Sequence, residues 1–298
     1  MSLTRLLIRN LLYYRKSWLS ILAGTVLGTA VLTGALIVGD SVRYSLGRQA
    51  VTRLGKIHYS IQPGDRFFRQ QLAAELAGQT RGTVAAVLKL DGIAGNTDKQ
   101  KQLNRVDVLG IDKQFLRLWD SAPQMPAEDE AIISKNTASR LDLHPGDEIL
   151  LKIRKQSKAS DNAPFVSQKE PQVAFRLKIA SIADDEQMGR FSLMTNQSAP
   201  YNIFVNQAAL TRKVSLKSNA NLLLIADPAE GVLSGLKLDS LVRRCWQPED
   251  IGLQLDALAG KNTFEFRSDR IFIDENTASA IRQSIPGARP ILTYLVND

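Results

Sequence analysis

Cysteine and histidine are almost missing from this chain. Cys245 is the single cysteine, and His58 and His144 are the only histidines among 298 residues. One cysteine excludes an intrachain disulfide, and a cysteine so far from the N-terminus is not the acylated residue of a lipoprotein. Neither histidine stands in a His-x-x-x-His or Cys/His ligand spacing, so no metal site is indicated. A Gly-x-x-x-x-Gly-Lys-[Ser/Thr] loop is also absent. Gly260-Lys261-Asn262 has neither the first glycine nor the hydroxyl, which excludes ATP binding in the P-loop manner. No Gly-x-Ser-x-Gly elbow occurs. The acid runs Glu128-Asp129-Glu130 and Asp184-Asp185-Glu186 read as solvated loop charge. The sequence thus indicates no catalytic residue, cofactor or metal, and the chain is read as not an enzyme.

Acid is missing altogether before Asp40, while Arg5, Arg9, Arg15 and Lys16 lie in that stretch. They supply much of the net charge of +8. The rest is mildly basic and has no dense Lys/Arg patch interleaved with aromatics, which argues against nucleic acid as a partner. With 44% hydrophobic and 23% charged residues, the chain has the composition of a folded protein.

What is present begins with an uncharged run, Trp18 to Gly39. As a helix it is about 33 Å long, enough to cross the hydrocarbon core of a bilayer. A cleaved secretory signal has a shorter apolar region and a small-x-small site; this run is longer and offers no convincing site before Asp40. Ser20, Gly24, Gly28, Val31 and Ala35 recur on one face of the run, a spacing that lets a second helix approach closely. Ahead of it, Leu3, Leu6, Leu7, Leu11 and Tyr14 form one helical stripe with the four basic residues off it. That pattern is a short amphipathic helix lying in a membrane interface. Arg15 and Lys16 abut the span beside Trp18, which places the N-terminus in the cytoplasm and the remainder outside it, in the plasma (inner) membrane. The divisions are therefore 1–17, a basic interfacial helix; 18–39, a transmembrane helix; and 40–298, an extracytoplasmic domain.

Residues 40–55 carry the helix onward as a solvated stalk. Beyond it the patterning alternates between strand and helix periods, predicting an α+β fold. Strands are expected at 57–62, 83–90, 105–111, 149–153, 173–182, 221–225, 251–255, 264–266, 271–273 and 291–296. Helices are expected at 66–77, with Phe67, Leu72 and Leu76 inward, at 113–119 and at 229–246. Residues between 90 and 105 read as a polar loop, 155–171 as a hairpin tip or mobile loop, and 184–200 as a long connection. A unit occurs three times: Ala131-Ile132-Ile133-Ser134-Lys135-Asn136-Thr137-Ala138-Ser139, Asn202-Ile203-Phe204-Val205-Asn206-Gln207-Ala208-Ala209-Leu210, and Ile271-Phe272-Ile273-Asp274-Glu275-Asn276-Thr277-Ala278-Ser279. Each is a strand running into a helix N-capped by Ser, Asn or Asp.

The basic amphipathic helix, the single span and the stalk start Gly39-Asp40-Ser41-Val42-Arg43 resemble the beginning of FtsX/MacB-like ABC transporter permeases. The turn and strand Leu143-His144-Pro145-Gly146-Asp147-Glu148-Ile149, preceded by the strand and helix of 132–141, and the tail 270–298 are similar to the MacB-like periplasmic core domain. The resemblance implies an α+β ectodomain in two subdomains, inserted after the first membrane helix, and a separate cytoplasmic ABC ATPase. It also implies a second permease subunit, homo- or heterodimeric, and motion passed across the membrane to the ectodomain for export or envelope substrate extraction. Such permeases carry at least three further membrane helices, so these residues are expected to be the N-terminal portion of a longer subunit. Two other readings are a single-span anchored binding or sensing module and a signal-cleaved secreted binding protein.

Overall fold

A computed structural model describes residues 3–64, 66–154, 172–194, 198–216, 218–227, 233, 235–258, 263–268, 273 and 275–291. The chain forms two compact units, 1–52 and 53–298. The first is helical: α1 (Leu3–Tyr13) and the greater part of α2 (Arg15–Leu54). The second is mixed α and β, so the fold is α+β.

In chain order the second unit holds β1 (Tyr59–Ile61), β2 (Phe68–Arg69), α3 (Gln71–Thr80), β3 (Thr83–Asn96), β4 (Lys101–Ile111) and α4 (Lys113–Leu116). Then follow β5 (Glu130–Ser134), α5 (Lys135–Leu141), β6 (Glu148–Arg154), β7 (Gln172–Ala183), β8 (Asn202–Asn206) and α6 (Gln207–Lys213). The last elements are β9 (Asn219–Ala220), β10 (Leu222–Ala226), α7 (Gly235–Cys245), β11 (Leu253–Ala257), β12 (Phe264–Ser268) and α8 (Glu275–Ser284).

Six strands close into a barrel in the order β3, β4, β8, β5, β7, β6, the last pairing back onto β3. Its construction is internally two-fold. The hairpin β3–β4, strand β5 and helix α5 are matched by the hairpin β6–β7, strand β8 and helix α6. β4 runs parallel to β8 as β7 runs parallel to β5. β5 and β8 meet antiparallel with Ile132 opposite Phe204, flanked by Ala131 opposite Val205 and Ile133 opposite Ile203. Two of the three repeated sequence units are therefore the paired halves of one closed barrel. The structural match sets Ser134 against Asn206, one residue off a simple alignment of the two runs. Their caps differ. Asn206 accepts from the amide of Ala209, but Ser134 caps nothing; its hydroxyl instead meets Thr137 Oγ1 and accepts from the amide of Asn202. In the third unit Ile271, Phe272 and Asp274 lie outside the described residues, as do the stretches 155–171 and 292–298, and Ile273 is in neither strand nor helix.

The alternate residues of the strands fill the barrel: Leu88, Leu90, Val108, Ile133, Ile149, Leu151, Ile179 and Ile203 are all buried there. Gly92 stands where β3, β4 and β6 crowd together. A Cβ there would come within 3.0 Å of a Val108 methyl and 3.2 Å of the Lys152 carbonyl oxygen, an approach that only glycine makes without displacement. The N-terminal part of β3 leaves the barrel and pairs with β10, which pairs with β1. On this flanking sheet α3 and α7 bury Leu72, Leu76, Leu238 and Val242 against Val84, Leu223 and Ile225. Barrel and helix-covered sheet are the two subdomains, joined by the one long strand.

Three expectations need correction. The polar stretch between 90 and 105 is no loop, because β3 and β4 run on to Asn96 and from Lys101. The helix expected at 66–77 begins only at Gln71; Phe68 and Arg69 pair with β9 instead, so Phe68 is the core residue and Phe67 is half-buried. Within 229–246 the described helix is Gly235–Cys245, and the strand expected at 251–255 is preceded by a 3-10 turn over Pro248–Ile251.

Candidate membrane element

α2 is helical over 40 residues, about 60 Å at 1.5 Å per residue. It continues through Asp40 to Leu54. Among the described residues it is the one helix long and apolar enough to cross a membrane, and none of its apolar window is buried. Three of the four hydroxyls of residues 18–39 bond within their own helix. Ser20 Oγ donates to the Lys16 carbonyl (3.0 Å), Thr25 Oγ1 to that of Leu22 (2.9 Å) and Thr29 Oγ1 to that of Thr25 (2.9 Å).

Ser20, Gly24, Gly28, Val31 and Ala35 share one face of this helix, and every one is exposed. A Cβ placed on Gly24 or Gly28 would meet nothing within 4 Å, so no packing within this chain requires glycine at either position. Because its hydroxyl is turned to Lys16, Ser20 belongs to the face as a small residue rather than a donor.

Only Tyr14 separates α1 from α2. The Tyr14 amide donates to the Asn10 carbonyl and the Trp18 amide to that of Tyr14, each at 3.0 Å, so the helical ladder runs nearly unbroken through the junction. Arg5, Arg9, Arg15 and Lys16 are exposed. The sequence did not single out the groove beside them. Ile8, Leu11, Leu12, Trp18 and Leu22 line it together with Arg15, enclosing about 690 Å³. Its signal was available, since these residues recur at three- and four-residue intervals across the α1–α2 junction.

The second unit begins with the end of α2. Gly55, at φ +56°, follows Leu54 in the left-handed conformation that ends helices. A Cβ on it would lie 2.6 Å from the Leu118 carbonyl oxygen and 2.9 Å from Trp119 Nε1. The Lys56 amide donates to that same carbonyl at 2.9 Å, and its ammonium pairs with Asp120. Behind this contact Phe115, Trp119, Phe191 and Phe204 form an aromatic cluster, with Phe115 centred 4.8 Å from Trp119 and 5.6 Å from Phe191. Asp112 positions the cluster by accepting from the Phe115 amide at 2.9 Å as the cap of α4.

The residues weighed for chemistry have structural partners. His58 Nδ1 accepts from the Asp227 amide, and the His144 ring stands 3.7 Å from Asp147. Glu128 pairs with Arg212, Asp184 with Lys135 and Asp185 with Arg190. Cys245 is buried with Gln79 Nε2 donating to its sulfur at 3.2 Å. Burial first, then the Glu75 carboxylate, pushes its thiol pKa up, which leaves it a poor nucleophile. Among the described residues no three His, Cys, Asp or Glu side chains cluster as metal ligands.

The chain matches no protein-family model and no curated protein. Among solved structures it is similar to the periplasmic region of MacB from Actinobacillus actinomycetemcomitans, at 13% identity over 77% of this chain and 86% of that one, with a TM-score of 0.39. It is also similar to the extracellular domain of the noncanonic ABC-type transporter YknZ from Gram-positive bacteria (12% identity, 61% and 88% of the two chains, TM-score 0.37). A third is a domain of a protein assigned as a permease from Porphyromonas gingivalis (11% identity, 64% and 83%, TM-score 0.37).

Proposed function

We propose that this chain is the N-terminal portion of an FtsX/MacB-like ABC transporter permease subunit. In this reading 18–39 spans the inner membrane with the N-terminus in the cytoplasm. Arg5, Arg9, Arg15 and Lys16 sit at the cytoplasmic headgroups, and the barrel-containing unit stands outside. A separate cytoplasmic ATPase acts near α1, a second permease subunit packs on the face of Ser20, Gly24, Gly28, Val31 and Ala35, and motion rather than a channel carries the work outward.

The observation that carries the reading is the unbroken helix from Arg15 to Leu54. A span ending at Gly39 leaves about 22 Å of helix beyond the hydrocarbon. A flexible tether would suffice to anchor a binding module; a chain that stays helical beyond the span is suited to pass on a displacement. The basic lead fits a cytoplasmic N-terminus, because short positively charged tails are retained on that side.

Thiol labelling tests the topology in a Cys245→Ala background. A cysteine at Thr4 is expected to be shielded from an impermeant reagent in intact cells, and one at Thr97, exposed beyond the end of β3, to be labelled. The reverse pattern contradicts the orientation. Loss of the first residues from the mature mass contradicts the retained span.

A further inference from the structure

The groove at the junction of α1 and α2 joins an apolar wall to a single charge. Ile8, Leu11 and Leu12 come from α1, Trp18, Leu22 and Thr25 from α2, and Arg15 stands between the two sets. Its volume of about 690 Å³ falls within the roughly 300–1,000 Å³ of small-molecule sites. The Thr25 hydroxyl is turned back to the Leu22 carbonyl at 2.9 Å, so Arg15 carries the only charge in the wall. This helical unit offers it no counter-ion, because no acid occurs before Asp40 at the far end of the span.

Length and direction both point to the occupant. From Arg15 to Thr25 the groove follows α2 for about 15 Å. That is half of the roughly 30 Å hydrocarbon core, the depth of one leaflet. At 3.6 residues per turn, Trp18 and Leu22 project on the side of α2 opposite Ser20, Gly24 and Gly28. Close approach of another helix needs small residues, and the groove presents Trp, Leu and Ile instead. Such a wall is better filled by a flexible hydrocarbon chain.

We propose that the groove binds one anionic phospholipid, with its phosphate on Arg15 and an acyl chain along Trp18, Leu22 and Thr25. The inference rests on the reading of 18–39 as a membrane span. Trp18 then lies at headgroup depth, where an indole is favoured. Arg15 supplies a planar set of donors for the phosphate oxygens. A zwitterionic lipid brings an ammonium group along with its phosphate. A headgroup of net negative charge is the closer complement to an arginine for which this unit holds no carboxylate.

Trp18 itself reports the occupant. The full chain is reconstituted in phosphatidylcholine vesicles with an equal mole fraction of either brominated phosphatidylglycerol or brominated phosphatidylcholine. Bromine quenches a tryptophan that it touches; Trp119 and Trp246 belong to the other unit, and their emission is subtracted with Trp18→Phe. Phosphatidylglycerol is expected beside Trp18 at about fivefold enrichment, equivalent to the about 1 kcal/mol of one basic residue at an anionic surface. Arg15→Gln should abolish that preference and Arg15→Lys retain most of it. Arg9→Gln, which does not line the groove, should also retain it. Equal quenching by the two lipids overturns the proposal. So do equal losses in Arg9→Gln and Arg15→Gln, which would show attraction to the charged surface alone. Quenching by neither lipid contradicts the membrane span, and the proposal falls with it.

Discussion

Asp250 is 0% exposed and accepts from the Arg69 amide, Nε and Nη2, each at 3.0 Å, and from the Gln247 amide at 2.9 Å. Arg69 also reaches Glu75 at 3.1 Å. The Asp250 carboxylate foremost, then Glu75, raises the guanidinium pKa. One carboxylate thus ties the turn after α7 to β2 and, through Arg69, to α3. Removing one partner of such a group leaves the other uncompensated, so Asp250→Ala should cost about 3–5 kcal/mol in chemical denaturation. Gly55→Ala places a Cβ against the Leu118 carbonyl at a positive φ; a loss of about 1–3 kcal/mol is expected by the same assay. Asp112 gives a pH dependence. Burial, opposed by the Phe115 amide, raises its pKa. A group whose folded pKa is raised contributes stability below its unfolded pKa, and that contribution is lost as pH rises through the folded value. Stability of the wild type relative to Asp112→Asn should therefore fall as pH climbs through the carboxylate range, and a flat difference would contradict this assignment. None of these partners could be read from the sequence, because Asp250 and Arg69 lie far apart along it and nothing in a lone Asp signals burial.

At the scale of elements, the span permits a comparison free of folding effects. Since a Cβ on Gly24 or Gly28 meets nothing in this chain, Gly24→Leu and Gly28→Leu should leave the helix itself intact. If the face packs on a second helix they should weaken association in a membrane two-hybrid assay by about 1–2 kcal/mol, while Leu22→Ala, off the face, should not. Equal effects would mean that the glycines are incidental. The span and its basic lead were legible because both are local patterns of composition. The barrel strands β6 and β7 were legible for the same reason, Ile149, Leu151 and Ile153 alternating against Val173, Phe175, Leu177 and Ile179. The extensions of β3 and β4 were hidden because Gly92, Ala94 and Asn96 take the inward positions of β3 there and carry little hydrophobic signal. The β3–β6 and β5–β8 pairings that close the barrel join distant segments, and only the repeated strand-and-helix units hinted at them.

For the whole molecule, the proposal has residues 18–39 cross the membrane ahead of a folded α+β unit, with ATP hydrolysed by a separate protein. In the proposed reading, ATP-driven motion enters from a separate ATPase near the basic N-terminal helix, since residues 1–298 hold no phosphate-binding loop. Photocrosslinking from that end is the most direct test. With a photoreactive residue replacing Asn10, exposed on α1, native membranes should yield a crosslinked product in which mass spectrometry identifies an ATPase with a Gly-x-x-x-x-Gly-Lys-[Ser/Thr] loop, and the same residue placed at Thr97 should not. An ATPase-free product at Asn10, or the same ATPase captured from Thr97, would contradict the account.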